Sequence, residues 1–94
     1  MQQEEAEATA IAALGYVAAD PVLLPRFLAL TGIEASDIRA AASEPGFLAG
    51  VLRFIAAHEP TLLAFSEQAG LDPRTVLRAI QALPGGDDSY ESST

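Results

Sequence analysis

The sequence predicts an all-α fold, a compact bundle of five to six short helices with a helix-turn-helix-like pair near the C-terminus. Apolar residues recur at helical spacing along most of the chain, whereas strand-like alternation is scarce. Residues that begin and end helices, namely Gly, Pro and the acids, separate these periodic segments. A chain of 94 residues can build one modest core. We therefore expect a single helical domain over residues 1–86 and a disordered acidic tail over 87–94.

The first three helices are predicted at about 4–19, 21–31 and 35–42. The apolar stripe expected on the first consists of Ala10, Ile11, Leu14, Val17 and Ala18. Asp20-Pro21 is expected to begin the second helix, since Asp caps helix N-termini and Pro suits the first helical position. The apolar stripe of this helix consists of Leu23, Leu24, Phe27, Leu28 and Thr31. Gly32 is expected to end it, and Ile38 to anchor the short third helix.

The last three helices are predicted at about 44–57, 60–69 and 73–83. The fourth is apolar over a wide arc, which is typical of the most buried helix of a bundle. The residues of this arc are Phe47, Leu48, Val51, Leu52, Phe54 and Ile55. Gly50 lies in the middle of this helix at a cost of about 1 kcal/mol relative to Ala. For this residue and for Gly15 we expect close approach of a neighbouring helix. Apolar positions of the last two helices are Leu62, Leu63, Phe65, Ala69, Val76, Leu77, Ile80 and Leu83.

The composition excludes several classes of protein. Without cysteine the chain has no disulfide, thiolate metal site or cysteine nucleophile. The apolar stretches fall short of the roughly 20 residues of a membrane-spanning helix, and the N-terminus lacks the basic region of a secretory signal. We therefore expect a cytoplasmic protein that does not enter a membrane.

The formal net charge is −8, and most of it lies at the two ends. Six acids are terminal: Glu4, Glu5, Glu7, Asp87, Asp88 and Glu91. Residues 8–86 hold seven acids and five arginines, or −2, and the chain has no lysine. The N-terminal acids suit the first turns of a helix, where negative charge complements the helix dipole. The body of the domain is therefore nearly neutral.

Residues suited to catalysis or metal binding are scarce. His58 is the only histidine, and one histidine cannot form a metal site, which takes three or four protein ligands. We expect His58 to cap the C-terminus of the fourth helix. Capping also explains the carboxylates of the body, which include Asp20, Glu34, Asp37, Glu44, Glu59 and Asp72. We expect no catalytic residue, cofactor or metal; an enzyme or ligand binder would require a pocket around His58 with a nearby carboxylate.

A weak internal repeat has an offset of 38 residues. Phe27, Gly32, Ile33, Glu34 and Ile38 match Phe65, Gly70, Leu71, Asp72 and Val76. Each copy contains a helix, a Gly stop, an apolar residue, an acidic cap and a second helix. Two explanations remain open. The segment was duplicated, or the same helix-start and helix-stop residues recur because helix-turn-helix units commonly use them.

Residues 61–81, TLLAFSEQAGLDPRTVLRAIQ, resemble without a gap the helix-turn-helix of lactose-repressor-type DNA-binding proteins. The matching positions are Thr61, Ala69, Gly70, Leu71, Thr75, Val76, Arg78 and Ile80. In that family the second helix enters the major groove, so the resemblance implies nucleic-acid contacts by Arg74, Thr75, Arg78 and Gln81. Asp72, Leu77 and Ser66 depart from the pattern. The segment is also neutral, although DNA affinity depends on neutralising phosphates.

Over about residues 4–85 the sequence is similar to an uncharacterised family of small acidic helical proteins of alphaproteobacteria, a domain of unknown function. The similarity is carried by residues 27–32 (FLALTG), 47–52 (FLAGVL) and 83–85 (LPG). It implies a single all-helical domain and brings no catalytic residue, cofactor or partner.

The leading hypothesis is therefore a non-enzymatic protein-interaction module. Half of the residues are hydrophobic, which is more apolar surface than a small domain readily hides. An exposed groove or patch would suit a partner helix or self-association. Four residues lie off the best stripes: Tyr16, Leu30, Phe54 and Leu77. The alternative hypothesis is a DNA-binding helix-turn-helix protein, although the scarcity of basic residues makes nucleic acid a poor candidate partner.

Overall fold

The computed structural model describes residues 1–44 and 46–85. Over these residues the chain forms six α-helices and no strand, which confirms the predicted all-α bundle. The helices are α1 (Gln3–Ala19), α2 (Leu23–Thr31), α3 (Ile38–Ala41), α4 (Phe47–Ala56), α5 (Glu59–Ala69) and α6 (Pro73–Ala82). A 3-10 turn, Ala35–Asp37, leads into α3. The predicted tail, residues 87–94, lies outside the described residues.

The core forms where α4 packs against α1, α5 and α6. Its buried face presents Ala49, Val51, Leu52 and Ile55, all without solvent exposure. Phe47, Leu48 and Phe54 widen this face as half-buried residues packed against the core. The prediction that α4 is the central helix is thereby confirmed.

α4 begins at Phe47, later than the predicted start near residue 44. Gly46 occupies the N-cap position in the left-handed region, with φ +88°. The helix therefore begins directly after this glycine, which adopts a backbone conformation that other residues rarely accept.

The buried face of α1 is only partly the predicted one: Ala10 and Val17 of the predicted stripe are buried and Leu14 packs against the core, but Ile11 and Ala18 do not. Its buried residues are Ala6, Thr9, Ala10, Ala13 and Val17. By contrast, Ile11 is 60% exposed and Ala18 is exposed. α1 packs against both α4 and α6, and a row of alanines lets helix backbones approach closely. Close packing along this row outweighed burial of the larger Ile11 side chain.

The helix ends follow the predicted chemistry at several junctions. Gly32 and Gly70 end α2 and α5 with φ of +75° and +71°. Asp20 Oδ1 accepts hydrogen bonds from the backbone N–H groups of Val22 (2.8 Å) and Leu23 (3.0 Å). Asp72 caps α6 through the backbone N–H of Arg74. These contacts satisfy N–H groups that a helix leaves unpaired in its first turn.

Three expected caps differ in detail. His58 occupies the N-cap position of α5 in an extended conformation instead of capping the end of α4. Its Nδ1 lies 2.7 Å from Thr61 Oγ1, and this hydrogen bond holds the ring over α5. Glu34 and Asp37 occupy N-cap positions without a side-chain capping bond. A short 3-10 turn leaves few N–H groups for them to satisfy.

The expected helix approach at Gly15 and Gly50 is wrong. A Cβ atom built on either residue meets no heavy atom within 4 Å. Both glycines line surface cavities instead of helix contacts.

The two copies of the internal repeat share their glycine turns but differ beyond them. α3 has four residues after a 3-10 turn, whereas α6 has ten. Ile38 is half-buried and Val76 is fully buried. The shared part is therefore the turn that follows α2 and α5.

No single helix in the described part of the chain is long and apolar enough to cross a membrane. α1 with α2 and α4 with α5 reach that length only as pairs, each bent by 111°.

Candidate functional site

An apolar groove of about 380 Å³ lies between α2 and α4. We call it the α2–α4 groove. The residues that line it are Phe27, Leu30, Thr31, Gly46, Phe47, Gly50, Arg53, Phe54 and Ala57. The other cavities described below are more polar, so this groove is the strongest candidate site for an apolar ligand.

Three phenylalanines form the wall of the groove. Phe27 on α2 is only 2% exposed. Its ring packs edge-to-face against Phe47, with centroids 5.9 Å apart, and against Phe54, with centroids 5.3 Å apart. This is a favoured arrangement of aromatic rings, because the positive edge of one faces the negative face of the other. The cluster fixes the wall and connects it to the core.

The α4 side of the groove follows from helical spacing. Phe47, Gly50, Phe54 and Ala57 are separated by three, four and three residues, which places them on one helix face. Gly50 lacks a side chain between the two phenylalanines, and the space above it is open. The glycine thus keeps the middle of the groove empty.

The α2 side exposes a large apolar residue. Leu30 is 73% exposed at the edge of the groove, the highest value among the large hydrophobic residues described. Val22 and Arg26, eight and four residues earlier, lie along the same side of α2 and are also exposed. On this side of α2 an exposed charged residue, Arg26, therefore separates the two exposed apolar residues Leu30 and Val22.

The charge of the groove is opposite to that of the chain. Arg53 is the one charged residue among the lining residues described, and no carboxylate joins it there. The whole chain has 13 acids against five arginines. Arg53 is half-buried, and its Nη2 donates a hydrogen bond to the backbone oxygen of Gly85. A ligand with a carboxylate beside its apolar part would complement this site.

Two of the four residues predicted off the main stripes lie in the groove. Leu30 and Phe54 both line it. Tyr16 is half-buried against Phe65, with ring centroids 5.4 Å apart. Leu77 is 46% exposed on α6 and is not part of the groove.

Sequence reasoning missed the remaining groove residues. Phe27 and Phe47 are assigned to the core by their apolar spacing, and Gly50 to a helix contact. The signal that would have found them is a glycine between two aromatic residues on one helix face.

A larger cavity of about 650 Å³ lies beside α1 and α5. It is lined by Ala12, Gly15, Tyr16, Ala19, Asp20, Pro21, Gln68 and Ala69. Its one carboxylate, that of Asp20, already accepts two backbone N–H groups of the next turn. The carboxylate of this cavity is therefore already used to cap the start of α2.

The predicted nucleic-acid contacts lie on α6. Arg74, Arg78 and Gln81 are exposed, whereas Thr75 is half-buried. Arg74 Nη2 is 3.1 Å from Asp72 Oδ2, and its Nε donates to Asp72 Oδ1 at 3.2 Å. The hydrogen bonds from Arg74 lower the pKa of the Asp72 carboxyl, and the same contact raises the pKa of Arg74. A carboxylate thus neutralises one of the two arginines expected to contact nucleic acid.

His58 does not gather the partners that an enzyme would need. The residue is exposed, and among the described residues its side chain is hydrogen-bonded to Thr61. Within residues 1–44 and 46–85, no group of three His, Asp or Glu side chains could hold a metal ion.

Comparison with known proteins places the chain in a family. No curated protein and no solved structure matches it significantly. The family described as "Protein of unknown function (DUF3572)" matches residues 3–86, which include both sides of the α2–α4 groove and the α5–α6 pair. The expected match to a domain of unknown function over most of the chain is thereby confirmed. The chain belongs to the DUF3572 family of proteins of unknown function.

Proposed function

We propose that this protein is a non-enzymatic interaction module whose α2–α4 groove binds a short segment of a partner protein. The observation that carries the proposal is an aromatic-walled groove of about 380 Å³, with Leu30 exposed at its edge. Such a groove suits one or two large apolar side chains from an amphipathic segment.

The polar groups of the groove favour a protein segment over a small molecule. Small-molecule sites hold several placed polar groups that fix the orientation of the ligand. Here the Thr31 hydroxyl donates to Phe27 O within its own helix, at 2.9 Å. Arg53 remains as the groove's charged donor. We therefore propose a partner segment that combines a large apolar residue with an acidic residue beside it.

The proposal that the protein is not an enzyme has separate support. The groove contains no histidine or carboxylate among its described lining residues. His58, the only histidine of the chain, is hydrogen-bonded to Thr61 elsewhere on the surface. A general acid or base would need to lie within hydrogen-bond reach of a bound substrate.

Site-specific photo-crosslinking in the native cell tests this function. A photoreactive amino acid replaces Leu30 in one copy of the full chain and Leu77 in another. Both positions are exposed, but only the first lines the groove. We expect position 30 to capture one defined segment containing large apolar and acidic residues, and position 77 not to capture it.

A second variant makes the result specific to the groove. Leu30→Asp should abolish co-purification of the captured protein, because it places a carboxylate on the apolar edge, whereas Leu77→Asp should retain it. Capture of basic segments, of nucleic acid or of a second copy of this chain at position 30 would contradict the proposal.

A further inference from the structure

We propose that residues 86–94 of this chain occupy the α2–α4 groove when no partner is bound, an inference that rests on the interaction function proposed above. The C-terminal segment would then compete with the partner for the same surface. Three features support it: where the described chain ends, how far the segment reaches, and what its residues offer.

The described chain ends at the wall of the groove. Arg53, a lining residue, donates a hydrogen bond to the backbone oxygen of Gly85, the last described residue. Leu83 and Pro84 line a further cavity, of about 220 Å³, together with Gly46, which also lines the groove. Residue 86 therefore starts next to the proposed site.

The segment is long enough to cover the groove. An extended chain spans up to about 3.6 Å per residue, so Tyr90 can lie as far as about 18 Å from Gly85. The ten residues of α4, Phe47–Ala56, extend about 15 Å along the helix axis. Tyr90 can therefore reach the phenylalanine wall at either end of the groove.

The segment also carries the chemistry that the groove complements. Its sequence is GDDSYESST, and its two aspartates, Asp87 and Asp88, come two and three residues after Gly85, whose backbone oxygen accepts the hydrogen bond from Arg53. Tyr90 is its one aromatic residue, and a ring beside Phe27, Phe47 and Phe54 would add edge-to-face contacts. The aspartates would lie close to the Arg53 guanidinium.

Covalent linkage favours this occupant over a second copy of the chain. A short tether holds its end at a local concentration in the millimolar range, so even weak contacts keep the segment bound. Two copies, each with a net charge of −8, would instead repel each other.

A disulfide-trapping experiment tests the inference in the full-length protein. The chain has no cysteine, so an engineered pair reports without background. Ser89→Cys, next to Tyr90, is combined with Gly50→Cys in the groove. The matched control combines Ser89→Cys with Gly15→Cys, since a side chain at either glycine enters open space.

Each variant is equilibrated in a glutathione redox buffer, and the monomeric disulfide is measured by mass spectrometry. We expect the effective concentration of the two thiols to be at least about tenfold higher for the pair at positions 50 and 89 than for the pair at positions 15 and 89. Adding Tyr90→Ala should remove this excess. Equal values for the two pairs, no effect of Tyr90→Ala, or disulfide-linked dimers would overturn the inference.

A second measurement covers the case in which a cysteine variant does not fold. Amide NMR spectra of the unmodified chain are compared with those of Asp87→Asn/Asp88→Asn/Tyr90→Ala. Shifts at Gly46, Gly50 and Ala57 are expected, and unchanged groove amides would contradict the inference. Crosslinking at position 30 tests partner binding separately, so the failure of one proposal is distinguishable from that of the other.

Discussion

At the scale of single residues, Phe27 connects the groove to the core. Its ring is 2% exposed, and it contacts both aromatic residues of the α4 side. One residue thus stabilises the fold and shapes the surface proposed to bind a partner.

Phe27→Ala should lower the free energy of unfolding by about 3–5 kcal/mol, because it removes a buried ring and leaves a cavity. Such a loss is a large part of the stability of a small domain. Urea unfolding followed by circular dichroism measures it. Leu77→Ala, at a residue 46% exposed, is the control and should change stability far less. A small effect of Phe27→Ala would show that the aromatic cluster contributes little.

The contact between Asp72 and Arg74 should give stability a dependence on pH. The folded state lowers the pKa of Asp72 from its ordinary value of 3.8, mainly through the Arg74 side-chain hydrogen bond. This contribution is present above pH 4 or so and is lost as pH falls through the lowered pKa. Because both side chains are exposed, the effect should be small.

Thermal unfolding between pH 6 and about pH 2.5 measures this dependence. Asp72→Asn keeps an oxygen that can cap α6, and Arg74→Gln removes the cation. On acidification, the melting temperature of each variant should fall by less than that of the parent chain. An unchanged pH profile in both variants would show that the contact is not made in solution.

At the scale of the helix, Gly50 and Gly70 have opposite roles. Gly50 lies inside α4 with open space above it, whereas Gly70 ends α5 at φ +71°. The first weakens its helix and keeps the groove open, and the second adopts a conformation that other residues rarely accept.

Gly50→Ala should raise the free energy of unfolding by roughly 1 kcal/mol, since Ala favours the helical conformation and no atom obstructs its Cβ. Gly70→Ala should lower it, because the left-handed conformation strains an L-residue. Chemical denaturation of both variants tests the pair. Destabilisation by Gly50→Ala would indicate a neighbour that the structure does not place there.

The α5–α6 pair has the turn of a helix-turn-helix but lacks the positive charge that is typical of a DNA-binding helix. Leu71 donates its backbone N–H to Ser66 O at 2.8 Å across the turn at Gly70. On α6, however, the Asp72 carboxylate neutralises Arg74, and Arg78 is left as the other arginine of the helix. DNA affinity arises largely from cations that neutralise phosphates.

We therefore expect no shift of duplex DNA by this protein in a gel at low salt. Arg78→Ala should leave this negative result unchanged. A shift that weakens as salt rises, and that Arg74→Ala or Arg78→Ala abolishes, would instead support the DNA-binding alternative.

At the scale of the whole molecule, one core joins the helices. α1, α4 and α6 each pack against the other two, and α5 packs against all three. No described helix of this group can bury its apolar face alone. Such mutual dependence favours cooperative unfolding.

Unfolding should therefore be two-state. In a Tyr90→Phe background, the fluorescence of Tyr16 reports on its contact with Phe65, and circular dichroism reports on the helices. The two signals should change at the same urea concentration. An earlier transition of the Tyr16 signal would show that α1 and α5 separate before the helices melt.

The sequence by itself determined the helical class, the approximate positions of the helices and several of their ends. Gly32, Gly70 and Asp72 act locally, through backbone conformation or a hydrogen bond two residues away, so their neighbours along the chain are enough to predict them. The exposed Leu30 was also recognised, because it lies off the apolar stripe of its own helix.

Only the tertiary structure decided which faces meet and where a groove remains. Ile11 is more hydrophobic than Ala10 or Ala13, yet the alanines are buried because α1 lies close to α4 and α6. Phe27 and Phe47 follow an ordinary core pattern, and the distance between α2 and α4 makes them walls of a groove. Spacing along one helix records which residues share a face, whereas the separation of two helices depends on every side chain packed between them.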